Sequence, residues 1–331
     1  MITLRLHGPR DLRLHDEPEP VPCAGQQLLK LNSVGICGSD LHWFNEQGIG
    51  DARLAAPLIL GHEFSASTQN GERVAVEPAI PCGSCEYCLR GHPNLCPTVI
   101  FAGHGGQDGA LREFMAWDEK CLFRIPDSIS NDDGAMLEPL GVAIHALDLA
   151  HLRTGMTVGI IGCGPIGLLI LQLVKLSGAT NIIATDILQH RVDAARALGA
   201  QHAILAEDQR GTDLILAASA GRGLDVVFEV AGNQNAVEAA VDTVIPGGKL
   251  ILVGIPSDDK TSFPASVARR KGLTIKLVRR MKLTYPRAID LVTSGQVDVR
   301  SLITHRFRLE QAAEAFETAQ RREGLKIMIQ I

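Results

Sequence analysis

The chain has 331 residues, of which 46% are apolar and 21% charged, with a net charge of −5. This length suggests about two domains, and the composition supports a sizeable packed core and excludes global disorder. The acidic balance argues against a nucleic-acid or membrane-surface partner, and Gly and Pro break the longest apolar stretches, so no membrane helix is expected.

In chain order, "MITLRLHGPRDLRLHDE" carries charges throughout and lacks an apolar signal core, so no export and a cytoplasmic location are expected. Residues 1 to about 140 are rich in Pro, Gly and short β-like runs such as "QLLKLNSVGI", "ERVAVEP" and "LFRIP". Within them, "PCGSCEYCLRGHPNLCP" (81–97) places Cys82, Cys85, Cys88 and Cys96 in C-x2-C-x2-C-x7-C spacing. The last gap of seven residues is too long for a ferredoxin-type iron–sulfur run. Four thiolates fill a tetrahedral zinc shell and leave no position for substrate, so this lobe reads as a structural zinc site. Redox cysteines and coincidence are the alternatives.

From about residue 142 to 275 the pattern becomes strand, glycine turn, helix, repeated. "TVGIIG", "NIIATD", "HAILA", "LDVVFEVAG" and "GKLILVGI" predict strands, while "LLILQLVKLSG" and "HRVDAARALG" predict helices stopped at Gly178 and Gly199. This alternation predicts a parallel, doubly wound α/β sheet covered by helices on both faces. "GCGPIG" (162–167) follows the first of these strands and opens a helix, and Asp186 ends the next strand, 19 residues after Gly167. That is the full context of a dinucleotide fingerprint. Gly162 allows the tight turn, Gly164 the approach of a pyrophosphate, and Gly167 close helix–strand packing. Pro165 and Ile166 form the first helical turn, whose N-terminus faces the phosphates. Asp186 would accept from the ribose hydroxyls and repel a 2′-phosphate, which favours NAD over NADP. Arg191 would flank the adenine or partly offset that preference. The rest of the chain, to Ile331, returns to a mixed pattern with a helix, "LEQAAEAFETAQR", and a final strand, "LKIMIQI".

The remaining ligand-type residues carry modest signals one at a time. Cys37 lies in "GICGSDLHWF", His62 and Glu63 in "LILGHEFSA", and Glu138 in "AMLEPLGVAIHA". A lone cysteine is usually a small hydrophobe, and Glu138 would favour a helix N-terminus. Their order is more informative than any one of them. "GICGSDLH", "GHE", the four-cysteine lobe, "EPLGVAIHA", "GCGPIG" and "THRF…LEQAAEAFE…GLKIMIQI" together resemble the zinc-dependent medium-chain dehydrogenase/reductase superfamily. Within it, the chain is most similar to the polyol dehydrogenase branch of sorbitol, xylitol and L-idonate type enzymes, over essentially its whole length.

The resemblance implies a GroES-like, β-rich catalytic domain built from both chain ends, 1–141 and 278–331, with an NAD-binding Rossmann domain, 142–277, inserted between them. It implies two zinc ions per chain, one structural and one catalytic. The catalytic ion is assigned to Cys37, His62 and Glu63, with Glu138 as a further or exchanging ligand. Ser39 would accept the substrate proton, with His42 next in the relay or packing near the cofactor ribose. Trp43 and Phe101 fall where the family lines its substrate pocket, and Arg279 matches a substrate- or water-facing arginine. Arg280 departs from the usual aromatic. It suggests an anionic substrate such as a sugar acid, or else belongs to a solvated basic stretch. The implied activity is NAD-dependent oxidation of a polyol hydroxyl, with sugar-acid or secondary-alcohol oxidation as the alternative. A non-catalytic zinc and NAD-binding protein is the reading from another class. A homo-oligomer, dimer or tetramer, is also implied. Only "SASTQN" separates "GHEF" from "GERVAVEP", which trims a peripheral hairpin relative to the family.

Overall fold

The computed structural model describes residues 1–206 and 210–331. They form two compact units, one of Met1–Gly141 with Lys282–Ile331 and one of Val142–Met281. The return crossing thus falls at Met281–Lys282, a few residues beyond the 277–278 boundary expected from the sequence.

The first unit is organised by the strand Gln26–Gly35, whose alternating pattern buries Leu29, Leu31 and Val34. Along one edge it pairs with Glu63–Thr68. Along the other it pairs first with Phe114–Asp118 and then, through Ser33, Val34 and Gly35, with Lys326–Gln330. Ile303–Arg308 adds in parallel outside Lys326–Gln330, so the two ends of the chain complete one sheet. Glu63–Thr68 and Arg73–Val76 form a tight antiparallel pair, with Gly71 at φ +80° between them. Four residues of "SASTQN", Ser65 to Thr68, therefore belong to the first strand, the turn itself is only residues 69–72, and Glu63 stays at the head of its strand. The core on this sheet gathers Trp43, Phe44, Phe64, Trp117 and Phe316.

The second unit is a six-stranded parallel sheet. Its order is His202–Leu205, Asn181–Asp186, Thr157–Ile161, Leu224–Glu229, Val244–Leu252, Thr274–Leu277. Numbered in chain order this is 3-2-1-4-5-6, the dinucleotide-binding arrangement, with its switch point between Thr157–Ile161 and Leu224–Glu229. The central strands Asn181–Asp186, Thr157–Ile161 and Leu224–Glu229 are buried runs because helices cover the sheet, as Pro165–Leu176 does with eight buried residues. Among the described residues no helix is long and apolar enough to cross a membrane.

Candidate functional site

In the first unit the strand Gln26–Gly35 runs out at Ile36, and Cys37 follows in extended conformation at the N-cap of the helix Gly38–Glu46. Asp40, at the third helical position, folds back so that its Oδ2 accepts from the Cys37 backbone N–H at 2.9 Å. This reciprocal cap fixes the entry to the helix and the placement of the Cys37 side chain. Gly61, at φ +93°, turns the chain into Glu63–Thr68 and donates its N–H to Asp40 Oδ1 at 3.3 Å. His62 and Glu63 follow directly. The ligand atoms of Cys37, His62 and Glu63 lie within 4.8 Å of one another, with both His62 and Glu63 buried.

Two neighbours fix this triad. His62 Nδ1 lies 3.4 Å from Asp40 Oδ1. Burial disfavours a charge on the ring, but the Asp40 carboxylate outweighs it and raises the His62 pKa well above the ordinary value. With Nδ1 engaged by Asp40, Nε2 is the ring nitrogen left to face a metal, which binds the ring in its neutral form. Glu63 Oε2 meets the ammonium of Lys326, which is only 2% exposed. Glu138, at the start of the helix Leu137–Ala150, stands beside the triad and outside the set that converges. Burial pushes its carboxyl up to about 7, with the Glu63 charge adding and the His62 charge opposing.

A sulfur, an imidazole nitrogen and a carboxylate oxygen suit zinc, and three protein donors leave a tetrahedral position open. Ser39 Oγ, half-buried one helical residue before Asp40, is 3.4 Å from His62 Nε2 and therefore faces the same point. The Phe101 ring lies tilted on His62 at 5.4 Å, and His104 packs edge-on against both Phe101 and Trp43. His42 engages Glu46 one turn along the helix, Nδ1 to Oε2 at 3.4 Å, and is outside the triad.

The four lobe cysteines also converge, with all four sulfurs within 4.8 Å. Backbone N–H groups of Ser84 and Cys85 reach the Cys82 sulfur and bring its pKa down to about 5. Desolvation and the neighbouring thiols push Cys88 up to about 12, so four thiolates coexist here only around a cation. The set is saturated by protein sulfur, as in a structural site.

In the second unit Gly164 caps the helix Pro165–Leu176, with Pro165 at its first position. Gly162 adopts φ +103°, and a methyl on it would lie 2.8 Å from the Ala231 nitrogen. A methyl on Gly167 would collide with the carbonyl of Gly162. At Gly164 the space is open, with Arg191 Nη1 the nearest atom at 3.7 Å, and Pro165 and Ile166 are partly exposed. These are the features a pyrophosphate needs at a helix N-terminus. Asp186 accepts from Cys163 N–H at 2.8 Å and Leu188 N–H at 3.0 Å, which fixes its carboxylate at the strand end. Arg191 Nη1 lies 3.9 Å from it. Arg279 and Arg280 follow the edge strand Thr274–Leu277 in this second unit, and Arg280 takes a left-handed φ of +55°.

The alcohol dehydrogenase GroES-like domain model matches residues 23–127, and the zinc-binding dehydrogenase model matches residues 165–294. Sorbitol dehydrogenase of Bacillus subtilis is 37% identical over 98% of this chain and 95% of its own length. The chain belongs to the zinc-dependent medium-chain dehydrogenase/reductase family. Among solved structures, an Escherichia coli oxidoreductase/dehydrogenase of unknown specificity superposes with a TM-score of 0.94 at 32% identity, covering 100% of this chain and 99% of that one. Galactitol-1-phosphate dehydrogenase from Escherichia coli gives 0.90 at 27% identity, with 100% and 99% covered. The expected GroES-like and Rossmann architecture and the oxidoreductase class thus hold.

Sequence reading missed two residues of this dehydrogenase that touch the triad, Asp40 and Lys326. Asp40 had a local signal, an acid at the third position of a helix that opens on a ligand. Replacing it with asparagine should remove the charge that orients His62 and lower zinc affinity and kcat/KM by about 10–100-fold. Titration of the apo protein with zinc checks this, and wild-type affinity would refute the orienting role.

Proposed function

We propose that the chain is an NAD-dependent zinc dehydrogenase that oxidises a secondary hydroxyl of a polyol to the ketose. The observation that carries this reading is the convergence of Cys37, His62 and Glu63 into one three-donor set with a position left over. The likeness to sorbitol dehydrogenases over nearly the full chain supports the substrate class. Zinc, when bound, supplies a Lewis acid that acidifies a substrate hydroxyl. NAD supplies the hydride acceptor.

The chain's own residues do the rest. Ser39 Oγ, 3.4 Å from His62 Nε2, accepts the hydroxyl proton by hydrogen bond, and His42, one turn on, passes it outward. Asp40 keeps His62 oriented throughout. Glu138, with its carboxyl raised to about 7, takes up or yields a proton near neutral pH, or joins the donor set in turn. Phe101, tilted on His62, excludes water beside it, and Trp43 backs the neighbouring His104. Each turnover converts CH–OH to C=O, delivers one hydride to NAD and releases one proton.

In the second unit, Gly162, Gly164 and Gly167 open the backbone to the pyrophosphate, and Asp186 selects the ribose. Replacing Asp186 with serine removes the charge facing a 2′-phosphate. We expect the NAD preference to fall by at least about tenfold, which corresponds to roughly 1.4 kcal/mol. An unchanged cofactor ratio would place the selection elsewhere.

A panel of polyols, aldonates and simple secondary alcohols, run with NAD and NADP alongside metal analysis, tests the whole reading. Polyol turnover with NAD and two zinc per chain is the expected result. Equal rates on all three substrate classes would sink it. A homo-oligomer, dimer or tetramer, is part of the proposal. It is supported by Tyr87, Leu89, Leu95 and Ile100, which are 45–75% exposed on and beside the cysteine lobe. A cytoplasmic location is proposed with it, and the eight free cysteines suit a reducing compartment.

A further inference from the structure

We propose that Lys326 is a positioning residue of the catalytic metal centre, fixing Glu63 and the backbone that carries Cys37 in the geometry that receives the ion. The inference rests on the reading of Cys37, His62 and Glu63 as zinc ligands.

Lysine is almost never fully buried without a partner, because its ammonium loses strong hydration. Lys326 is 2% exposed. Its ammonium has two partners, and both belong to the metal centre. One is Glu63 Oε2. The other is the carbonyl of Ile36, at 3.0 Å, which is part of the peptide leading into Cys37. The same residue is held from its other side, because Ile36 N–H donates to the Ile327 carbonyl at 3.0 Å. One short stretch of the last strand therefore grips the Cys37 approach by main chain and by side chain. It grips Glu63 through the same ammonium.

The space around this grip is reserved. Glu63 lies opposite Gly35 in the sheet register. A methyl on Gly35 would collide with the Glu63 carboxylate and lie 2.8 Å from Lys326 Cε. Apart from Lys326, no donor among the described residues reaches Glu63 Oε2. With one oxygen tied to the ammonium, the carboxylate has a fixed direction in which to offer the other. Asp40 does for His62 what Lys326 does for Glu63, and each ligand that needs orienting has its own support.

The test is zinc release from the holoenzyme to a chelating chromophore, read as separate catalytic and lobe phases. Lys326→Met keeps the length and apolar stem and removes the charge. We expect it to release the catalytic zinc at least about tenfold faster, with the lobe phase unchanged. Losing a nearby positive charge would by itself slow release, so a catalytic phase at or below the wild-type rate overturns the positioning role. The double variant Lys326→Met with Glu63→Gln should release no more than about twofold faster than Glu63→Gln alone, because Lys326 acts through Glu63. Effects that multiply would show a general packing role and overturn the proposal. Should Lys326→Met fail to fold, Gly35→Ala presses on the same pair without removing either group. Faster catalytic-zinc release supports the proposal there, and a wild-type rate overturns it. Failure of the underlying zinc reading looks different, as the wild-type protein would then hold one zinc per chain and show no catalytic phase at all.

Discussion

Cys37→Ser is expected to lower kcat/KM by about a thousandfold or more while leaving the fold intact. The estimate follows from the role of the ion. A Lewis acid at a reacting oxygen is worth several kcal/mol of barrier, and each 1.36 kcal/mol is about a factor of ten. Cys37 supplies the sulfur of the three-donor set, and serine is a far weaker zinc ligand. The thiol is half-buried at a helix N-cap where Asp40 accepts from the Cys37 backbone N–H, and a serine hydroxyl can take the sulfur's place in the reciprocal cap, so thermal stability should change little. Metal analysis should fall from two zinc per chain to one. Turnover that survives the substitution would exclude a catalytic ion at this triad.

Cys96→Ala should give the opposite profile, with a large stability loss and kcat intact in whatever remains folded. Cys96 is the buried member of the lobe, 4% exposed. Structural zinc in small folded peptides contributes on the order of 10 kcal/mol, comparable to the whole stability of a domain. Even about 2 kcal/mol transmitted to the rest of the unit would lower Tm by roughly 4–8 °C. The neck of the lobe offers a route for that transmission. Ile100 and Phe101 pair with Ala79 and Ile80 at its base, and Phe101 lies on His62. Loosening the lobe should therefore raise KM through Phe101 as well as lower Tm. An unchanged Tm with two zinc still bound would remove the lobe from the list of metal sites.

Reading the sequence worked where the chemistry is local. The lobe packs its four ligands into fifteen residues, and the fingerprint sits between one strand and the next, so spacing alone exposes both. The parallel sheet was legible for the same reason, because its central strands are apolar runs that alternate with helices closed by glycine. The first unit was harder. Strands such as Gly48–Ile49, Ala52–Arg53 and Leu58–Ile59 are two residues long, too short to show alternation. The triad was found only through the resemblance, because its residues are scattered and each has an ordinary alternative. Lys326 was out of reach altogether. It lies 290 positions from Ile36, and a lysine in a final strand ordinarily reads as an exposed edge charge.

The sheet closed by both chain ends also sets a timetable for the nascent protein. Gln26–Gly35 emerges early, yet its partner Lys326–Gln330 is translated only after the entire second unit. At about 5–20 residues per second, Glu63 waits roughly 15–50 s on the ribosome for the strand that bears Lys326. The cysteine lobe needs only its own fifteen residues, so all four of its sulfurs are in place within seconds of their emergence. The two candidate metal sites are therefore completed in the order of synthesis, the lobe first and the grip on Glu63 last.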